Sequence, residues 1–258
     1  MKKIKVANLL EESRFGGPQQ RVIIIANEIK QFVETTIICP KKNSNYFEKK
    51  MLSNNVNYKL IETNTLKKNW KTILNYLWNF YKDLKITRQA IINIDPDVVH
   101  ISGGAWQFRS LIACIFLKKK ILWHLNDSNA NFFIRSIFLA TNFLADGFIF
   151  SSHRTKKYYE PLIFFKKKNI ILQAPVKNIS KFKKKKRKKI VIGNIGNFNF
   201  NKQQDFILKV AKQFKNNEFY RFILVGQVFE SQKKYFSSLL NFKKKNKLNN
   251  IKIIKNPK

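Results

Sequence analysis

Short runs of β-branched and aromatic residues alternate with helix-length segments along nearly the whole chain, and that alternation leaves few folds open. Strand-like runs lie at about 4–10, 33–39, 58–61, 98–101, 121–125, 147–150 and 170–172. Helix-length segments fill the intervals, at about 18–31, 66–94, 105–117, 132–144 and 153–161. This order predicts an α/β fold with a parallel sheet and helices on both faces. Right-handed crossovers then bring the C-terminal ends of the strands to one edge, where ligands bind. A second strand-loop-helix unit opens at Ile190, and 258 residues can hold one large or two medium domains. The expected division is an N-terminal Rossmann-like domain over 1–175, a basic linker over 176–189, and an incomplete second Rossmann-like domain over 190–258.

The linker, beginning QAPVKNISKFKKKKRKK at Gln173, admits two readings: a lipid or polyphosphate contact, or a solvated hinge kept extended by like charges. The whole chain carries a formal net charge of +36. Such a charge ordinarily points to nucleic acid or an anionic membrane. Only eight of the 51 basic residues are arginine, however, whereas base and phosphate recognition favours the arginine fork. The abundance of Lys, Asn, Ile and Phe reads as the codon bias of an A- and T-rich genome, so no specific nucleic-acid partner is expected. Attraction to anionic lipid, weakening with salt, holds under either reading.

Cys39 and Cys114 sit in the apolar runs TTIICP and SLIACIFL, as two reduced core thiols or one buried disulfide. The N-terminal apolar run is short and ends in Glu11 and Glu12, so it reads as a first strand and not as a signal peptide. The apolar region 132–150 contains Arg135, Asn142 and Asp146, which argues against a membrane span. A cytoplasmic protein, with at most peripheral contact with the inner face of the cytoplasmic membrane, is expected.

Several polar groups fall at the predicted ligand edge. In LLEESRFGGPQQR, Gly16 and Gly17 precede Pro18 and a helix, leaving backbone N–H groups open to an anion. VVHISGG and ILWHLND place His100, His124, Asn126 and Asp127 near one another, in either a structural or a catalytic role. In IVIGNIGNFNFNKQQ a buried strand over 189–195 is followed by a glycine loop with Gly193 and Gly196, then Lys202 at the start of a helix. This is either an anion site or an ordinary tight turn. Asp95-Pro96-Asp97 matches a metal-binding DXD pattern but precedes a strand, hence lies at the opposite edge. No metal site is expected there.

In this order the motifs GGPQQR, PDVVHISGG, ILWHLND, GFIFSSH, IGNIGNFNFNKQQ and FILVGQ resemble family 4 of the GT-B glycosyltransferases. The resemblance implies two Rossmann-like domains facing across a cleft, with acceptor bound by the first and donor by the second. It also implies retaining transfer from a nucleotide sugar, UDP- or GDP-linked, with no obligatory metal or cofactor. By position it assigns donor phosphate contacts to Gly16, Gly17, Gly196, Asn197 and Lys202, catalytic positions to His124, Asn126 and Asp127, and an acceptor-side position to His100. Lys202 matches the lysine that stabilises the departing diphosphate, where compensating charge is needed. GFIFSSH matches the strand that ends in serine, and Gly226 the glycine that ends the second donor-domain strand.

The chain departs from the family pattern in four places. Asn197 stands where an arginine is common, Gln203 where glycine follows the lysine, and Asn126 where histidine directly precedes the aspartate. The paired glutamates of the donor domain have no counterpart, since no Asp or Glu follows Glu230. The expected function is therefore sugar transfer to a cell-surface polysaccharide or lipid-linked glycan by a truncated or split enzyme, whose donor domain a second chain completes. The alternative is an inactive glycan- or protein-binding partner subunit, and a nucleic-acid module ranks third. The last strand, about 251–254, is expected to leave an edge or apolar face uncovered. The isolated chain should accordingly be poorly soluble or pair obligately; a monodisperse, cooperatively melting monomer in a sizing and calorimetry experiment contradicts this.

Overall fold

The structure is a computed structural model that describes residues 2–66, 70–128, 130–175 and 189–256. Two compact units divide the chain, Met1–Ile179 and Ser180–Lys258. The expected linker, apart from Lys189, lies outside the described residues.

The first unit contains strands β1 (Ile4–Leu9), β2 (Val33–Pro40), β3 (Asn57–Ile61), β4 (Val98–Ser102), β5 (Lys120–Leu125), β6 (Gly147–Phe150) and β7 (Lys168–Ile171). Its helices are α1 (Gly17–Glu28), α2 (Asn45–Ser53), α3 (Trp70–Trp78), α4 (Phe80–Ile94), α5 (Phe108–Ala113), α6 (Phe132–Thr141) and α7 (His153–Tyr159). All seven strands are parallel, in the order β3-β2-β1-β4-β5-β6-β7. β1 therefore pairs with β2 on one side and β4 on the other, the switch point of a doubly wound sheet.

A parallel sheet must be covered on both faces, and alternate residues of β2 show how this is done. Ile37 and Cys39 join Val22, Ile23, Phe47 and Met51 of α1 and α2 in one core, whereas Ile38 joins the other core with Ile91, Leu111 and Phe138 of α4, α5 and α6. Trp123 of β5 is fully buried in the second core, 5.0 Å from the Phe138 ring. Both cysteines are free and buried, and burial pushes each thiol up to about 12.

Three helices differ from expectation. The segment expected over 66–94 is broken at Asn79 into α3 and α4. α5 ends early because Phe116 and Lys118 adopt left-handed backbone, with φ of 63° and 54°. α2 was not anticipated: it offers only Phe47 and Met51 to the core, too short a pattern to show periodicity.

The second unit holds β8 (Ile190–Ile195), β9 (Tyr220–Gly226) and β10 (Ile251–Lys255), parallel in the order β10-β9-β8, with helices α8 (Gln204–Gln213) and α9 (Lys233–Lys245). Its core joins Leu208, Ala211, Phe222, Leu224, Phe236 and Leu239. The expectation of a buried strand at 189–195 is wrong, since Ile190, Val191, Ile192 and Ile195 of the edge strand β8 are all exposed. Its neighbours in the fold cover β9 instead, and an apolar run alone does not reveal which strand is covered. The apolar exposure thus falls on β8, while Ile251 of β10 is buried.

A buried ion cluster ties the first unit together. Arg109 of α5 lies 3.1 Å from Asp83 Oδ2 of α4 and 3.6 Å from Glu11 Oε2 beyond β1, with all three side chains at 2% exposure or less. Glu11 also accepts from the Ser110 backbone N–H and hydroxyl and from the Tyr76 hydroxyl. Removing one partner from such a cluster strands a charge. Arg109→Met should therefore lose about 3–5 kcal/mol in urea unfolding, whereas Lys119→Ala, which breaks a peripheral pair with Asp95, should lose less than about 1 kcal/mol.

Candidate functional site

At the C-terminal edge of the first sheet, Ser102 of β4 is in register with His124 of β5. Next to them, α1 begins at Gly17, after the cap residue Gly16, with no side-chain hydrogen bond at the cap. From this helix Arg21, itself buried, reaches both strands. It donates to Asn126 Oδ1, to Ser102 Oγ at 2.6 Å and to His124 Nε2 at 3.1 Å. None of these acceptors is a carboxylate, and burial lowers Arg21 to about 10. Its Nε and the Asn126 amide nitrogen are buried without a partner among the described residues.

Arg21 can only donate, which sets the protons beyond it. His124 Nε2 must accept, so neutral His124 carries its proton on Nδ1. That atom lies 3.2 Å from His100 Nε2, which accepts in turn. His100 then carries its proton on Nδ1, 2.9 Å from the amide nitrogen of Asn8 on β1. Exchanging the two Asn8 amide atoms makes this a hydrogen bond to the Asn8 oxygen and leaves the amide nitrogen in the position without a partner among the described residues. Burial, and then the Arg21 charge, hold His100 down to about 4 and lower His124 further. Both rings are therefore neutral at physiological pH and stack with centroids 5.4 Å apart.

Asp127 follows on the same edge. It accepts from the Tyr159 hydroxyl at 2.9 Å, and burial raises its carboxyl from the ordinary range. A Cβ on Gly104 would come within 3.0 Å of its Oδ2. Gly16 and Gly17 do not require left-handed backbone, and a Cβ at Gly17 would meet nothing within 4 Å. The DXD aspartates lie at the far edge: Asp97 accepts from the Lys5 backbone N–H and Asp95 pairs with Lys119. Among the described residues no cluster of His, Cys, Asp and Glu suits a metal ion.

In the second unit Gly196, Asn197 and Lys202 share one turn. Gly193, expected in that loop, lies inside β8. Asn199 accepts from the Lys202 backbone N–H and opens a single 3-10 turn, Phe200–Lys202. Gln203, left-handed at φ 51°, then leads into α8 at Gln204, so the helix starts after Lys202 and not at it. The Lys202 stem lies over Gly196: a Cβ there would be 3.6 Å from Cδ and Cε. Buried Gln204 donates to the Asn197 carbonyl at 3.1 Å. Gly226, ending β9, is sterically required, since a Cβ would stand 2.0 Å from the Gly196 carbonyl oxygen.

Two open depressions, about 430 Å³ beside Lys243 and Lys247 and about 270 Å³ beside Lys3 and Lys30, are lined by none of these residues.

No protein-family model matches the chain, and no curated protein matches its sequence. Solved structures do match it. HepE of Anabaena, crystallised with UDP and glucose, aligns with a TM-score of 0.75 at 14% identity, over 99% of this chain and 70% of its own. A glycosyltransferase of Rickettsia africae aligns at 0.70 and 15%, over 100% and 69%. TarM of S. aureus, in complex with fondaparinux, α-GlcNAc-glycerol and UDP, aligns at 0.70 and 9%, over 98% and 77%. The fold is GT-B-like.

Within this GT-B-like chain the structure brings His100, His124 and Asn126 into one hydrogen-bonded line, with Asp127 adjacent in sequence, and gathers Gly196, Asn197 and Lys202 into one turn. Sequence reading missed Arg21, the group that joins the first set. Arginine is ordinarily exposed, and the only signal was its place directly before the apolar run VIIIA of α1.

The depressed histidine pKa values make acid destabilising. Below about pH 6.5 the unfolded chain takes up protons that His100 refuses until about 4, so its stabilising contribution shrinks as pH falls through that window. In ¹⁵N spectra both rings should remain neutral with Nδ1 protonated down to about pH 5, and Arg21→Gln should raise both titrations; an ordinary titration in the intact protein contradicts the assignment.

Proposed function

We propose that this protein transfers a sugar from a nucleotide-sugar donor to a cell-surface polysaccharide or lipid-linked glycan, in the manner of family 4 of the GT-B glycosyltransferases. The observation that carries this is the turn after β8, in which the Lys202 stem lies over Gly196 at the approach to α8. A lysine ammonium beside a glycine turn suits a diphosphate, and charge that develops on a leaving diphosphate is what such a group stabilises. UDP bound to HepE and TarM supports a uridine nucleotide as the first donor to test.

In this reading Gly16, Gly17, Gly196, Asn197 and Lys202 contact the donor phosphates. His124, Asn126 and Asp127 face the reacting sugar, and His100 stands on the acceptor side. Arg21 orients His124 and Asn126 and supplies positive potential without itself reaching the ligand, because its free Nε is buried. The work is cytoplasmic, on an acceptor at the inner face of the membrane; among the described residues no helix is long and apolar enough to cross a membrane.

A non-catalytic glycan-binding subunit is the second reading, favoured by Asn197, which offers no charge where the resembled family has arginine.

Calorimetric titration with UDP and UDP-glucose tests the donor site. Lys202→Met should weaken binding about tenfold or more, the effect of losing a charge-assisted hydrogen bond, and Gly17→Ala should weaken it while leaving the melting temperature intact. Absence of binding by UDP- and GDP-sugars alike overturns the proposal; glycan binding without donor binding favours the second reading.

A further inference from the structure

α3 faces the wrong way for an ordinary surface helix. A helix on a globular unit turns its apolar stripe inward, yet α3 commits Tyr76 to the core and leaves Ile73, Leu74, Leu77 and Trp78 in solvent, with Trp78 90% exposed. Tyr81, in the first turn of α4, is 68% exposed. At the helical repeat, Leu74, Leu77 and Trp78 fall on one side of α3. The indole and phenol combine an apolar body with a polar handle, the chemistry favoured at a membrane–water interface.

The charge around the stripe selects its partner. Asp83 is the sole carboxylate in the α3 and α4 sequences, and it is buried against Arg109. Lys82 and Lys85 are exposed in the turn that carries Tyr81, with the Lys85 ammonium 4.5 Å from the Tyr81 ring centroid. A second copy of this chain, at +36, would bring lysines against lysines. An anionic bilayer offers the stripe an apolar layer and the lysines a negative surface.

We infer that α3 and the first turn of α4 form a docking element that lies in the interface of an anionic bilayer, with Leu74, Leu77 and Trp78 entering the acyl boundary and Lys82 and Lys85 at the headgroups. This deepens the reading of a membrane-associated acceptor and rests on it for its purpose. Vesicle binding is measured without sugar transfer, so either can fail alone.

The test is co-sedimentation of the full chain with vesicles of phosphatidylglycerol mixed equally with phosphatidylcholine, against phosphatidylcholine alone. Binding to the anionic vesicles, with tryptophan emission quenched by brominated acyl chains, is the expected result. Leu74→Ser combined with Trp78→Ser should lower partitioning about tenfold or more and remove most of that quenching, with no change in melting temperature because the replaced side chains are exposed. Undiminished binding by this variant would show adsorption through lysine charge alone and overturn the inference. So would absence of vesicle binding, or a wild-type dimer that the variant converts to monomer.

Discussion

β1 is hydrogen-bonded on both flanks, to β2 and to β4, and the first unit is organised around that fact. Successive crossovers leave it in opposite directions, so the loops that follow β1 and β4 diverge at the C-terminal edge. The start of α1 and the Gly103-Gly104 turn occupy the two sides of this gap. Arg21 crosses it from the helix, and Asn8, His100 and His124 line up along three adjacent strands beneath.

Two buried arginines in this unit illustrate different uses of a charge taken out of water. Arg109 meets two carboxylates, a ring face at 5.1 Å and a backbone carbonyl, and so joins the segment after β1 to α3, α4 and α5. Arg21 meets only neutral acceptors and keeps one nitrogen without a partner. A cation held without a counter-ion is expensive to bury. Such a departure from the rules of a satisfied core is expected where function sets the arrangement. It also forces two histidines into defined neutral tautomers, which an exposed or carboxylate-paired arginine would not do.

The second unit applies a different economy of space. Its turn is fixed by backbone crowding, with Gly226 pressed against the Gly196 carbonyl, by the buried Gln204 amide, and by Asn199 capping the short turn. These contacts leave the Lys202 stem over the glycine. The exposed apolar residues of β8 and the outward face of α3 are among the places where the described residues show hydrophobic side chains that the chain's own elements do not cover, as do Phe116, Phe132 and Phe164.

Element types and sheet direction were readable from residues alone, because strand and helix differ in period and length and because parallel strands require crossovers. The edge that carries His124, Asn126 and Asp127 was readable for the same reason, as they stand at or just beyond the end of β5, whereas His100 lies within β4. The short α2, the break at Asn79 and the early end of α5 were not, since α2 offers two core contacts, the break rests on the backbone of Asn79 alone and α5 stops before left-handed Phe116 and Lys118. Burial of β8 was misread because apolar composition records what can be covered and not what is. Proton positions along Asn8, His100 and His124, and the buried places of Arg21 and Arg109, were settled only by tertiary structure: hydrogen-bond direction depends on which donor stands at the end of the line, and that neighbour comes from a distant part of the chain.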